Sequence, residues 1–176
     1  MRRTDETYHN QRVGIFIDVQ NLYHSAKNIY QGRVNYKELI KYLVGGRMLI
    51  RAVAYVVRSE TEGGRPQIGE AAFFGALEKA GLELRTKDLQ IYPGGLKKAD
   101  WDVGLAVDAI RMSTFLDVVI LVTGDGDFLP LVDYLKWGVG RFVEIAAFNR
   151  SASSKLREAA DKFINIEEIP RIIIKK

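Results

Sequence analysis

The feature that most constrains this chain is a regular alternation of short apolar runs with longer amphipathic stretches. Val13-Gly14-Ile15-Phe16-Ile17 and Val118-Val119-Ile120-Leu121-Val122 are apolar throughout, the pattern of strands buried on both faces of a sheet. Residues 52–57 have the same character, and 142–148, interrupted only by Glu144, predict a fifth strand. Residues 82–85, Leu-Glu-Leu-Arg, alternate instead, as a strand near a sheet edge with one wet face does. Stretches with helical periodicity predict helices over 21–30, 36–44, 70–80, 101–112, 128–137 and 154–162. Gly45-Gly46 and Gly81 stand where the second and third should stop. Polar loops are predicted over 58–67 and through Pro93-Gly94-Gly95. Strands interleaved with helices in this way predict an α/β fold, a mainly parallel sheet of about five strands with helices on both faces.

A chain of 176 residues suits one domain, predicted over 13–169 after a polar extension (1–12) and before a tail (170–176). The tail, Ile172-Ile173-Ile174-Lys175-Lys176, is apolar enough to dock on the body or on a second copy, which would make a homodimer. With Cys 0, disulfide scaffolds, thiolate zinc sites, iron–sulfur clusters and cysteine nucleophiles are excluded. His9 and His24 offer no metal-ligand pair at useful spacing. The longest aliphatic run is too short for a bilayer, and Met1-Arg2-Arg3-Thr4-Asp5-Glu6 leads into no apolar segment before Val13, so a soluble cytoplasmic protein without membrane contact is expected. A net charge of +4 permits nucleic acid as a partner without demanding it.

In an open parallel sheet, ligands bind beyond the carboxyl ends of the strands, where the strand order reverses. The first strand ends at Asp18, followed by Gln20 and Asn21. The strand at 118–122 ends in Thr123-Gly124-Asp125-Gly126-Asp127-Phe128, and the helix before it begins near Ala99-Asp100-Trp101-Asp102. Three sources of carboxylate, remote in sequence, should therefore share one rim. Singly, each suits a helix cap or turn: Asp102 fits a helix start, and Asp127 is a cap candidate because Pro130 then falls in the first turn. Asp125, flanked by two glycines, is harder to assign to a cap. Jointly, crowded carboxylates repel one another unless a positive charge lies between them. Oxygen ligands without His or Cys select a hard cation, Mg²⁺ or Mn²⁺, of the kind that activates water for phosphoryl displacement.

Two other chemistries fail on residue type. A phosphatase of the haloacid-dehalogenase type needs a second Asp two positions after the first, where Gln20 stands, and a Thr or Ser where Leu22 stands. A dinucleotide-binding turn needs glycines after the first strand, where the chain has Asp18-Val19-Gln20-Asn21.

Phe16-Ile17-Asp18-Val19-Gln20-Asn21-Leu22, Lys98-Ala99-Asp100-Trp101-Asp102-Val103-Gly104-Leu105-Ala106-Val107-Asp108 and Val122-Thr123-Gly124-Asp125-Gly126-Asp127-Phe128 resemble the motifs of NYN-domain proteins, the LabA-like (DUF88) branch of the PIN-like nuclease superfamily. The resemblance runs from about Val13 to Ile169 and includes the ending Leu156-Arg157-Glu158-Ala159-Ala160-Asp161-Lys162-Phe163. It implies a PIN-like three-layer α/β/α sandwich with a Mg²⁺- or Mn²⁺-dependent acidic site that cleaves RNA to 5′-phosphate and 3′-hydroxyl ends. By position, Asp18, Asp102 and Asp125 would be the catalytic, metal-binding acids, with Asp127 a further ligand and Asn21 and Asp100 in support. Asp108 also matches, but six residues after Asp102 a helix has turned by about 240°, which turns it from the shared ion. A non-catalytic RNA-binding or regulatory module that retains the acids is the alternative the family implies.

For an RNA partner, single-stranded above all, the candidate backbone contacts are Arg58, Arg65, Lys97, Lys98, Arg150 and Lys155, all on loops or helix starts at the same end. Ser151, Ser153 and Ser154 offer hydroxyls there, or cap the last helix. Tyr23, Tyr92, Trp101 and Phe128 are the candidates for stacking on an unpaired base, or for the core.

Overall fold

A computed structural model of the chain describes residues 9–58, 69–91, 97–98 and 100–175, with the backbone alone at 90, 91, 97 and 98. In chain order the elements are β1 (Arg12–Asp18), α1 (Val19–Tyr30), β2 (Gly32–Val34), α2 (Tyr36–Val44), β3 (Met48–Arg58), α3 (Glu70–Lys79), β4 (Glu83–Asp88), β5 (Gln90–Ile91) and β6 (Lys97–Lys98). There follow α4 (Asp102–Ser113), β7 (Val118–Val122), α5 (Leu129–Asp133), β8 (Phe142–Ala147), α6 (Ser154–Ala159), β9 (Lys162–Asn165) and β10 (Ile173–Lys175).

Six strands form the central sheet in the order β4-β3-β1-β7-β8-β9, and every neighbouring pair is parallel. The chain winds outward from β1 through β3 to β4, then returns to β7 on the other side of β1 and winds outward again through β8 to β9. The order therefore reverses between β1 and β7, where Val13 stands opposite Val118 and Ile17 opposite Val122. This is the predicted three-layer α/β/α sandwich. Ile15 and Ile17 pack with Leu22, Leu39 and Leu77 on the face of α1, α2 and α3. Phe16, Leu121 and Ile145 pack with Leu105, Val132 and Leu156 on the face of α4, α5 and α6. Continuous apolar strands serve both layers because alternate residues point to opposite faces. Strand β4 is the half-wet edge that its alternating sequence predicts.

The sheet has one strand more than the expected five. The predicted helix over 154–162 stops at Ala159, Ala160 is extended (φ −65°, ψ 149°), and Lys162–Asn165 pairs with Glu144–Ala147 as β9. Asp161 makes the turn by accepting from the Val143 N–H at 2.9 Å through its carboxylate. The apolar tail docks on the body of its own chain: β10 pairs antiparallel with β2, and the Asn35 N–H donates to the Ile172 carbonyl at 2.7 Å. The predicted helix over 128–137 is three pieces, a 3₁₀ turn at Gly126–Phe128, α5, and a π-turn at Tyr134–Gly138. Under the sheet, Arg47 forms a buried pair with Glu144 at 2.8 Å and also donates to the Leu43 and Val44 carbonyls, so neither charge is left unsatisfied. Among the described residues no helix is long and apolar enough to cross a membrane.

Candidate acidic site at the strand reversal

The site grows from the adjacent ends of β1 and β7. Asp18, the last residue of β1, is half-buried and caps α1: its Oδ1 accepts from the Asn21 N–H at 3.1 Å, and its Oδ2 accepts from the Thr123 hydroxyl at 3.2 Å. Asn21 reaches back across the reversal, its Oδ1 accepting from the Gly124 N–H at 3.0 Å. Thr123 in turn accepts from the Asp125 N–H at 3.2 Å, and Asp125 Oδ1 accepts from the Asp127 N–H at 3.0 Å. Asp125, not Asp127, is therefore the cap of the turn after β7. The expectation for Asp127 failed because the tight turn at Gly126 places its amide, rather than its carboxylate, at the helix start.

Close packing fixes this loop from behind. A Cβ on Gly124 would stand 2.9 Å from the Ser151 carbonyl oxygen and 3.0 Å from the Ala152 Cα, so only glycine lets the loops after β7 and β8 meet. The Ser153 N–H donates to the Gly124 carbonyl at 2.9 Å, and the Ser25 hydroxyl to that of Ser151 at 3.0 Å. Ser153 caps α6, while Ser154 is exposed.

Electrostatically the rim is strained. Burial lifts the Asp18 carboxyl above its ordinary range against the hydrogen bonds from Asn21 and Thr123, and the Asp125 charge adds to the lift. Asp102, in the first turn of α4, is pushed up to about 6, first by burial and then by the charges of Asp18, Asp100, Asp125 and Asp127. Four of the predicted acids thus act on Asp102, although the five come from three separate segments of the chain. Among the described residues none of the five makes an ion pair with a lysine or arginine. As the side chains stand, no three His, Asp or Glu among the described residues form a ready metal-ligand group. The donor chemistry nonetheless fits a hard cation: the converging side chains offer carboxylate oxygens and no imidazole or thiolate.

Asp108 lies elsewhere. It accepts from the Tyr55 hydroxyl at 2.9 Å and faces Arg85 at 3.5 Å and Arg111 at 4.0 Å, which makes it a tie between α4 and the sheet. Trp101 is anchored as well, donating from its indole nitrogen to the Val56 carbonyl at 2.9 Å and packing on Tyr55. Phe128 is core. Tyr23 remains an exposed ring. Of the predicted cations, Arg58 ends β3 and donates to the Thr86 hydroxyl at 2.8 Å, while Arg150 and Lys155 are exposed beside the loop after β8. Lys97 and Lys98 form β6, opposite Ile91 and Gln90. Arg65 and Tyr92 lie outside the described residues.

Thr123 was given no role by residue type. Its one signal was its place in the motif, between a fully apolar strand and the two glycines, where it is completely buried with its hydroxyl between two acids.

Comparison with known proteins bears on the family and the fold. The NYN domain model matches residues 12–167. The "low amplitude and bright protein LabA" of Synechococcus elongatus is 23% identical over 171 residues, which span 93% of this chain and 88% of that protein. The crystal structure of a protein of unknown function from Vibrio parahaemolyticus superposes with a TM-score of 0.82 at 28% identity, covering 96% of this chain and 99% of that one.

Proposed function

The chain belongs to the NYN domain family, and from that premise we propose that it is a Mg²⁺- or Mn²⁺-dependent ribonuclease whose acidic site lies at the reversal between β1 and β7. The observation that carries the proposal is the convergence on one rim of acids from three chain segments, where burial first, and then the charges of Asp18, Asp100, Asp125 and Asp127, push Asp102 up to about 6. Such a field disfavours the ionised site on its own, and a bound dication would reverse it. Asp18, Asp102 and Asp125 would hold the ion, with Asp127 as a further ligand. When bound, the ion would supply a water of lowered pKa and compensate the charge of the scissile phosphate.

The chain's own residues do the positioning. The Asn21 N–H and the Thr123 hydroxyl fix both oxygens of Asp18, each of which keeps further acceptor capacity. Thr123 also holds the Asp125 backbone, so the two acids move as one unit. Asp100 adds negative charge at the mouth. Arg58, Arg150 and Lys155 offer cations to the flanking phosphates, as would Lys97, Lys98 and Arg65.

Incubation of labelled single-stranded RNA with the protein, in Mn²⁺ and in chelator, tests the proposal alongside Asp18→Asn and Asp125→Asn. Cleavage should require the metal and should vanish in both variants while their folded spectra persist. Cleavage by either variant at the parent rate would remove the assignment. Metal-dependent binding without products would instead make the protein an RNA-binding module.

A further inference from the structure

A second feature of the same rim lies along α1. The helix leaves Asp18 and crosses toward the carboxyl end of β8, where Ser25 meets Ser151 and the Tyr30 ring packs 4.9 Å from that of Phe148. Beyond that crossing, an open cleft of about 630 Å³ is lined by Tyr23, Lys27, Tyr30, Arg33 and Lys175, together with Gln31 and Gly32. Its charged groups are all cations. The Lys27 ammonium lies 5.7 Å over the Tyr23 ring, and Lys27, Arg33 and Lys175 make no ion pair among the described residues. The nearby carboxylate of Glu167 is engaged, accepting from the Tyr30 hydroxyl, and the charge of Arg150 also reaches that hydroxyl.

The docked tail completes the cleft. Lys175 stands opposite Gly32 in the β10–β2 ladder, and a Cβ on Gly32 would come within 2.5 Å of Ile173 and 3.0 Å of the Ile174 carbonyl. Glycine there lets β10 close and brings the lysine beside Lys27 and Arg33.

We infer that this cleft holds the part of a single-stranded RNA that leads away from the acidic site, with Lys27, Arg33 and Lys175 on phosphates and a base on Tyr23. Among the described residues Tyr23 is the one stacking candidate that the fold leaves exposed, at 44% of its surface. A row of unpaired cations beside an aromatic face is what a strand with free bases requires, and α1 spans about 18 Å from the acids, several nucleotides' reach. The inference rests on the RNA-cleaving reading of the acidic site and adds to it a path for the substrate.

Fluorescence anisotropy with a labelled RNA of about 15 nucleotides, in chelator so that nothing is cut, tests it against a salt series. The combined K27Q/R33Q/K175Q variant should bind more weakly, and its slope of log affinity against log salt should be shallower by about 2, the loss of three contacts to a single strand. Tyr23→Ala should weaken binding about tenfold with the slope unchanged. These are surface positions, so both variants should unfold at the parent's temperature. Parent affinity and parent slope in both variants would overturn the cleft and leave the acidic site standing. No RNA binding by the parent, in chelator and in Mn²⁺ alike, would overturn both. Slope loss as expected, with an RNA that the parent leaves uncut in Mn²⁺, would support the cleft and remove the cleavage.

Discussion

The Thr123 hydroxyl donates to Asp18 Oδ2 at 3.2 Å while its oxygen accepts the Asp125 N–H at 3.2 Å, so one buried side chain clamps the ends of two strands 105 residues apart. Thr123→Val keeps the shape, deletes the hydroxyl and leaves the Asp125 amide without its acceptor. Chemical denaturation should show a loss of about 1–3 kcal/mol, and RNA cleavage should fall by about tenfold or more as Asp18 loses its orientation. Thr123→Ser should restore most of both.

Asp102 makes stability depend on pH with a definite sign. Its carboxyl titrates near 6 in the folded chain and near the ordinary 3.8 when unfolded. Below the lower value it is neutral in both states and costs nothing; as pH rises through the higher one the folded state bears the full cost of burying the charge and of its repulsion by the neighbouring acids. In chelator, Asp102→Asn should therefore be more stable than the parent at about pH 7.5, by on the order of 1 kcal/mol once the solvent screening of a partly exposed group is allowed for. The advantage should shrink from about pH 6 downward and be gone near pH 4. Thermal melts of the two proteins across that range check it; a gap that does not close in acid would remove the buried charge of Asp102 from the account.

Gly124→Ala drives a methyl group into backbone atoms of Ser151 and Ala152, which cannot swing aside as a flexible side chain would. A cost of about 1–3 kcal/mol is expected, together with lost cleavage, because the displaced loop carries Asp125. Gly81→Ala, where a Cβ would meet nothing within 4 Å but φ is +92°, serves as the control: it should cost stability and spare activity.

Asp108 separates a family motif from a working site. Asp108→Asn weakens its contacts with Tyr55, Arg85 and Arg111 and should lower stability by about 1 kcal/mol, while cleavage at a temperature well below melting stays at the parent rate. A collapse of cleavage matching that of Asp18→Asn would place Asp108 in the acidic site after all.

Much of the fold could be read from the residues alone. A run such as Val118–Val122, apolar at every position, has few uses outside a sheet covered on both sides, and that one inference fixes where the polar residues after each strand must lie. Asp18, Asp102 and Asp125 were legible for the same reason: the topology, not their local sequence, brings them together. What was illegible depends on contacts between distant segments. The strand Lys162–Asn165 continues an amphipathic pattern and is cut from α6 only by Asp161 bonding to Val143. The three-residue strands β2 and β10 have no signal of their own, since each exists by pairing with the other. Residue type also identified Arg150 and Lys155 as candidates for phosphate but could not find Lys27 and Arg33 as a set with Lys175, which the docked tail brings beside them.

The central position of β1 has a consequence for how the chain reaches this state. Arg12–Asp18 hydrogen-bonds on one edge to residues 48–55 and on the other to residues 118–122, so during synthesis its second edge stays open until the ribosome has released a further hundred residues or so. Translation speed through that interval, and the help of chaperones that mask naked apolar edges, should govern the yield of native protein more than any local helix propensity does.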